Sequence, residues 1–247
     1  MANLISIFLL IVKSFFYQGN YNTENMQGTG FAWLARPILK RRGITLSEEH
    51  DKELGAYFNT NPSFVTALLG IFLKECQNGN NGIMAKNAYS SAFAALGDSF
   101  FWHALRPLLC FVSIFLVLYV SPWGIAIYPI VYGGFHILFL FFGGLVGSVL
   151  GLNTITLFNR FRFKEWANIV DKVSIFIIGA LIVKGLEYSS SYEASDNMLL
   201  VTVLAFAAFI GGVFVYNKVS RPVFAMGLLI LLLATLGAVG GYNIWIQ

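Results

Sequence analysis

The sequence predicts an all-α integral membrane protein, with cytoplasmic and re-entrant helices in its N-terminal part followed by about five transmembrane segments. Three observations carry that expectation. Of 247 residues, 57% are hydrophobic and only 11% charged, far below the roughly 25% charge of a soluble domain. Long apolar runs fill the second half, at about 107–121, 125–152, 173–186, 198–216 and 223–240. Ahead of them stand shorter apolar runs interrupted by amides, glycines and a carboxylate, groups that are expensive in hydrocarbon unless they serve a ligand or cap a broken helix. The chain therefore divides at about residue 106, with a motif region over 1–106 and a transmembrane helical region over 107–247.

In chain order, the run LISIFLLIV before Lys13 is too short to span and carries neither a basic leader nor an AxA-like cleavage site. It is expected to be retained and to lie at the interface. Thr45 with Glu48 three residues on has the capping-box spacing, and the charged run SEEHDKEL predicts a solvated helix from there to Tyr57. FNTNP must end it. Pro62 disfavours helical geometry at Asn61, whereas Asn61 as N-cap and Pro62 at the first helical position suit a new helix. The run Phe64 to Leu73 is short of the roughly 20 residues of a spanning helix and predicts a re-entrant or half-membrane helix closed by the turn-rich QNGNNG at 77–82. Ala92 to Trp102 is a second short stretch, expected to break at Gly97 and Asp98. Beyond Arg106 the apolar runs alternate with SPWG, a basic loop over 153–172, the acidic EYSSSYEASDN and NKVSR. The positive-inside rule puts 153–172 and 217–222 in the cytoplasm and 187–197 and the C-terminus outside; alternation also places Lys40, Arg41 and Arg42 inside.

The net charge of +4 comes from short clusters beside apolar segments, not from one stripe, so it reads as topology and excludes a nucleic-acid surface. Cys76 and Cys110 have no ligand spacing and are expected to be buried free thiols. His50, His103 and His136 form no metal-binding set, and no cofactor is expected. No GxSxG, phosphate-binding glycine loop or kinase signature is present, so the chain is not expected to be an enzyme by itself.

What remains are the polar groups inside apolar sequence. On an α-helix Asp98, Trp102 and Arg106 stand at i, i+4 and i+8 on roughly one face. A carboxylate, an indole and a guanidinium so arranged could hold a polyol; equally, Asp98 could be a helix cap, Trp102 an interface anchor and Arg106 a membrane-edge cation. Asn59 and Asn61 flank Thr60 at the helix break. A turn amide is the simpler reading, yet broken helices near the midplane are where transporters place substrate. Gln27, between Met26 and the Gly28/Gly30 pair, is a solvated loop amide or a further site donor.

The motifs FYQGNYNTENMQGTGFAW at 16–33, AYFNTNPSFVTALLGIFLKE at 56–75 and ALGDSFFWHALRPLL at 95–109, in that order and spacing, resemble the IID membrane subunit of the mannose/fructose/sorbose phosphotransferase system. The resemblance implies a sugar permease subunit, multi-pass in the bacterial cytoplasmic (inner) membrane. It would work beside a IIC membrane partner, with cytoplasmic IIA and IIB components carrying phosphoryl groups to an incoming hexose-type sugar, and with IIC–IID pairs forming a higher oligomer. By motif match it implies substrate-binding roles for Gln27, Asn59, Asn61 and Asp98, supported by Thr60, Trp102 and Arg106. A divergent non-transporting membrane scaffold or receptor derived from that family is the alternative.

Overall fold

The computed structural model describes residues 4–191; the apolar runs expected at 198–216 and 223–240, and the loop between them, lie outside these. Among the described residues the regular secondary structure is helical, with two isolated bridges, Asn22 to Met26 and Met26 to Phe58. Two compact units form: one from the residues up to Phe100 together with Val131–Lys164, the other from Phe101–Ile130 together with the residues from Glu165 on.

The first unit begins with α1 (Leu4–Ser14), a 3-10 turn (Tyr17–Asn20), α2 (Gly28–Arg41) and α3 (Glu48–Leu54). The solvated helix is where the charged run placed it, but its cap is Ser47, whose side chain accepts from the His50 N–H at 3.2 Å, not Thr45. It stops at Leu54, short of Tyr57. Asn61 and Pro62 behave as the break requires: Asn61 is extended (φ −67, ψ 132), its Oδ1 accepts from the Ser63 N–H, and Pro62 opens a 3-10 turn over Pro62–Phe64. That turn runs into α4 (Val65–Gln77). With about 1.5 Å of rise per residue, its 13 residues cover roughly two thirds of a hydrocarbon core of about 30 Å.

α4 is the centre of this unit. Its residues from Val65 to Leu73 are all buried, and α1, α2 and α5 (Gly82–Gly97) pack around it. Against α7 (Ile127–Leu150) the approach is closer still, because small residues face each other. A Cβ on Gly147 would collide with the Ala67 carbonyl, one on Gly70 would come within 2.6 Å of the Ser148 N–H nitrogen, and Gly143 faces the Ala67 methyl. The glycine-xxx-glycine spacing of Gly143 and Gly147 is the pattern that lets membrane helices pack backbone to backbone. A cluster of phenylalanines seals the end of α4 where the break lies: Phe64 makes ring contacts with Phe93, Phe139, Phe158 and Phe163.

The expected break at Gly97 and Asp98 does not occur. The chain stays helical from Gly82 to Tyr119, passing through a π-helical stretch, Asp98–Leu105, before α6 (Arg106–Tyr119). Asp98 has helical dihedrals (φ −64, ψ −41) and is not an N-cap. A π segment absorbs an extra residue by i→i+5 bonding without ending the helix, so a glycine and an aspartate here do not act as punctuation. The widened turn also removes the α-helical register on which Asp98, Trp102 and Arg106 were aligned.

In the second unit α6 is followed by a 3-10 turn, Pro122–Ala126, with Gly124 lying against Leu116. Phe111, Ile178 and Leu181 form its small buried cluster. The basic stretch expected as a loop is largely helical, as α8 (Asn153–Arg160) and the start of α9 (Phe163–Ser191). Basic charge marked the segment as polar but does not break helices; the actual turn is at Arg162, which adopts φ 50. Cys76 and Cys110 are free, and half-buried rather than fully buried. Among the described residues two segments, Gly82–Tyr119 and Pro122–Leu150, are long and apolar enough to cross a membrane. On α7 only Leu140, Gly143 and Gly147 are buried, while Ile137, Leu138, Phe142 and Val149 are exposed, a surface suited to lipid.

Candidate functional site

The three amide- and glycine-containing motifs, far apart in sequence, meet in the first unit. The first is a knotted loop over residues 21–27. Asn22 Oδ1 accepts from the backbone N–H groups of Glu24 and Asn25, both at 3.0 Å, while its Nδ2 donates to Asn25 Oδ1 at 2.8 Å. Asn22 and Met26 also exchange backbone hydrogen bonds. The loop closes only because Met26 takes a left-handed conformation, φ 54, at a cost of about 1–2 kcal/mol for a residue with a side chain. Gly28 and Gly30 then let α2 start hard against the backbone: a Cβ on either would strike the carbonyl of Ala56 or of Tyr17. Tyr17 is itself buried, and burial pushes its phenol well above its ordinary range.

This loop pairs with the second motif. The Phe58 N–H donates to the Asn25 carbonyl at 3.2 Å and the Gln27 N–H to the Phe58 carbonyl at 2.9 Å. The Gln27 side chain continues the pairing, its Oε1 accepting from the Thr60 N–H at 2.9 Å. One residue further on, the second motif reaches the third. Asn61 Nδ2 donates to Asp98 Oδ1 at 2.9 Å, and its Oδ1 is held by the Ser63 N–H at 3.1 Å. Gly97 makes the approach possible, since a Cβ there would overlap the Asn61 side chain. Gln27, Thr60 and Asn61 are 5%, 2% and 1% exposed. They are placed, not solvated.

The Thr60 hydroxyl is the one site atom that is buried without a hydrogen-bond partner among the described residues of this cluster; leaving it so costs about 1–3 kcal/mol. Asn59 is half-buried beside it and takes no part in these contacts, and Asp98 is half-buried. Trp102 and Arg106 are exposed and belong to the second unit. The structure thus joins Gln27, Thr60, Asn61 and Asp98 in one hydrogen-bonded set.

Sequence reasoning missed three supporting groups. Lys86, fully buried on α5, donates to the carbonyls of Glu53 at 2.8 Å and Leu54 at 3.1 Å and lies over the rings of Phe31 and Phe58. It neutralises the negative end of α3 and fixes the chain just before FNTNP. A lone lysine in the apolar GIMAKNAYSSAFAAL was the available signal. Ser63 Oγ and His136 Nδ1 share a hydrogen bond of 2.8 Å, and Thr66 Oγ1 donates to the Leu140 carbonyl at 2.7 Å; these join positions more than 70 residues apart, which no local pattern reveals. The His136 imidazole of this pair packs against the ring of Phe15, centroids 5.3 Å apart.

The arrangement offers amide and carboxylate groups in an apolar setting, the chemistry that recognises hydroxyl-rich ligands, and no reacting pair among the described residues. The model of the mannose/fructose/sorbose family IID component of the phosphotransferase system matches residues 5–242. The chain belongs to this family. Among curated relatives of the IID component, the fructose permease IID component of Bacillus subtilis (strain 168) is 24% identical over 72% of this chain and 68% of its own length. The mannose-specific EIID component of Escherichia coli (strain K12) is 23% identical over 71% of this chain and 66% of its own. The sorbose-specific EIID component of Klebsiella pneumoniae is 23% identical over 74% and 69%. The matched stretch therefore spans about two thirds of these relatives. A cryo-EM structure of the mannose transporter ManYZ with microcin E492 shares the fold along 98% of both chains, with a TM-score of 0.53 and 18% identity. A second membrane-protein structure covers 73% of this chain at a TM-score of 0.60 and 21% identity.

Proposed function

We propose that this IID component forms, with a IIC membrane subunit, the sugar-binding translocation unit of a mannose-family phosphotransferase system, and that cytoplasmic IIA and IIB partners supply the phosphoryl group. The observation that carries the reading is the convergence of Gln27, Thr60, Asn61 and Asp98 from three distant motifs around a buried, unpartnered Thr60 hydroxyl. Buried polar groups are costly unless they are used, and nothing among the described residues uses that hydroxyl. In this reading Gln27, Asn59 and Asp98 meet the sugar, while Asn61, both of whose amide atoms are engaged internally, aligns Asp98 and the helix break.

The chain is multi-pass in the bacterial inner membrane, with about five crossings, residues 153–172 cytoplasmic and 187–197 outside. Pairs of IIC and IID assemble into a higher oligomer that closes the motif surface. Co-expression with its IIC, IIA and IIB partners, followed by uptake of a panel of labelled hexoses, tests the assignment. At least one hexose is taken up and phosphorylated, and Asp98→Asn lowers that uptake about tenfold or more, as the loss of one charge-assisted hydrogen bond to a hydroxyl does. Normal uptake of every transported hexose by Asp98→Asn and Gln27→Ala would remove these residues from the site.

A further inference from the structure

Asn61 is held on two sides. Asp98 takes its Nδ2. On the other side its Oδ1 takes the N–H of Ser63, whose hydroxyl is in turn tied to His136 on α7. We infer that His136 is a positioning residue for the sugar site, acting through Ser63 to fix the Asn61 amide and, through it, Asp98; the inference rests on the function proposed above.

The geometry supports this in three ways. The hydrogen bond is short, 2.8 Å, and half-buried, so water competes weakly for either partner. The imidazole has little freedom to choose another partner, because the edge of Phe15 stands against it with ring centroids 5.3 Å apart. One helical turn further along both helices, Thr66 donates to the Leu140 carbonyl, so the turn 62–64 and the start of α4 are registered on α7 by two successive side chains. The Thr66 bond and the close packing at Gly70, Gly143 and Gly147 secure the helices without it. The Ser63–His136 contact is the one that reaches the residue next to the helix break, and it sets the direction from which the Ser63 N–H meets Asn61. An alignment role predicts loss of sugar affinity rather than of assembly.

Because the bond uses Nδ1, the conservative replacements differ in outcome. An asparagine at position 136 can place a polar atom near the Nδ1 position, whereas glutamine reaches toward Nε2 and phenylalanine offers neither. Uptake kinetics are measured in cells co-expressing the partner subunits, normalised to the amount of IID recovered with IIC. His136→Phe, His136→Gln and Ser63→Ala are expected to raise the half-saturating sugar concentration about fivefold, the equivalent of one hydrogen bond, with maximal rate changed less than about twofold. His136→Asn should restore most of that loss, and Ser63→Ala combined with His136→Phe should be no worse than either alone, the signature of one shared interaction. Should His136→Phe fail to assemble, Ser63→Ala and His136→Asn carry the comparison. Asp98→Asn separates the two levels: if it leaves uptake normal, the site itself is misplaced and this inference falls with it. If Asp98→Asn impairs uptake while Ser63→Ala and His136→Phe leave the half-saturating concentration unchanged, or if Asn is no better than Phe at 136, only the role of His136 is overturned.

Discussion

Asn61→Asp puts the geometry of the site to its most direct test. Size and the ability to cap the turn at Pro62 are both kept, since a carboxylate oxygen can still accept from the Ser63 N–H. What changes is the contact with Asp98, where an amide donor at 2.9 Å becomes a second acceptor. The lost charge-assisted bond is worth about 1.5–3 kcal/mol. Two carboxylates roughly 4 Å apart repel by about 4 kcal/mol at the effective dielectric of a partly buried site. Side-chain rotation and proton uptake relieve part of this, leaving a net loss of about 2–4 kcal/mol. Asp98→Asn should be far milder for stability, because an amide oxygen at position 98 still accepts from Asn61, and the charge assistance lost from that bond is worth about 1 kcal/mol. The decisive variant combines the two. Asn61→Asp with Asp98→Asn exchanges donor and acceptor across the same contact, and should regain all but about 1 kcal/mol of what Asn61→Asp alone loses. Thermal melting of the detergent-purified protein reads all three. A double variant that melts as low as Asn61→Asp, or an Asp98→Asn variant less stable than Asn61→Asp, would refute the contact as the organising element of the site.

Three further outcomes follow from the structure. Lys86→Met strips the partner from the Glu53 and Leu54 carbonyls and should destabilise the protein by about 2 kcal/mol, seen as a lowered melting midpoint; an unchanged midpoint means that the lysine is only tolerated. Gly147→Ala should sharply reduce recovery of folded protein because its methyl meets the Ala67 carbonyl, whereas Gly133→Ala, with nothing within 4 Å, should be neutral or stabilising; equal recovery of both would contradict the α4–α7 packing. In a variant with Cys76 and Cys110 replaced by serine, a cysteine at Lys164 should resist an impermeant thiol reagent applied outside the cell and one at Ser190 should react, the reverse pattern inverting the topology.

The helix break at Asn61 and Pro62 was legible because proline geometry and asparagine capping are local and strong. The helix after it was legible from its length. Asp98 was misread because π-helical bonding leaves no mark in residue type: Gly97 looked like a break, yet it is small for the sake of the Asn61 side chain from 36 positions earlier. Ser47 caps in place of Thr45 although the residue three positions on is His50 rather than Glu, because a serine hydroxyl needs only that residue's backbone N–H to cap. The chain of contacts from Gln27 to Thr60 and from Ser63 to His136 could not be read from sequence at all, since hydrogen bonds across 33 and 73 positions have no periodicity. What sequence did offer was the anomaly itself, polar residues where hydrocarbon was expected.

Asn61 commits both amide atoms to the protein. With donor and acceptor both satisfied inside the protein, the amide has no hydrogen-bonding capacity pressing it to turn elsewhere, and either atom swung outward would leave Asp98 or the Ser63 N–H short of a partner. The residue works as a rivet between two segments 37 positions apart: its orientation is settled by the fold, and the carboxylate beside it inherits that fixed aim.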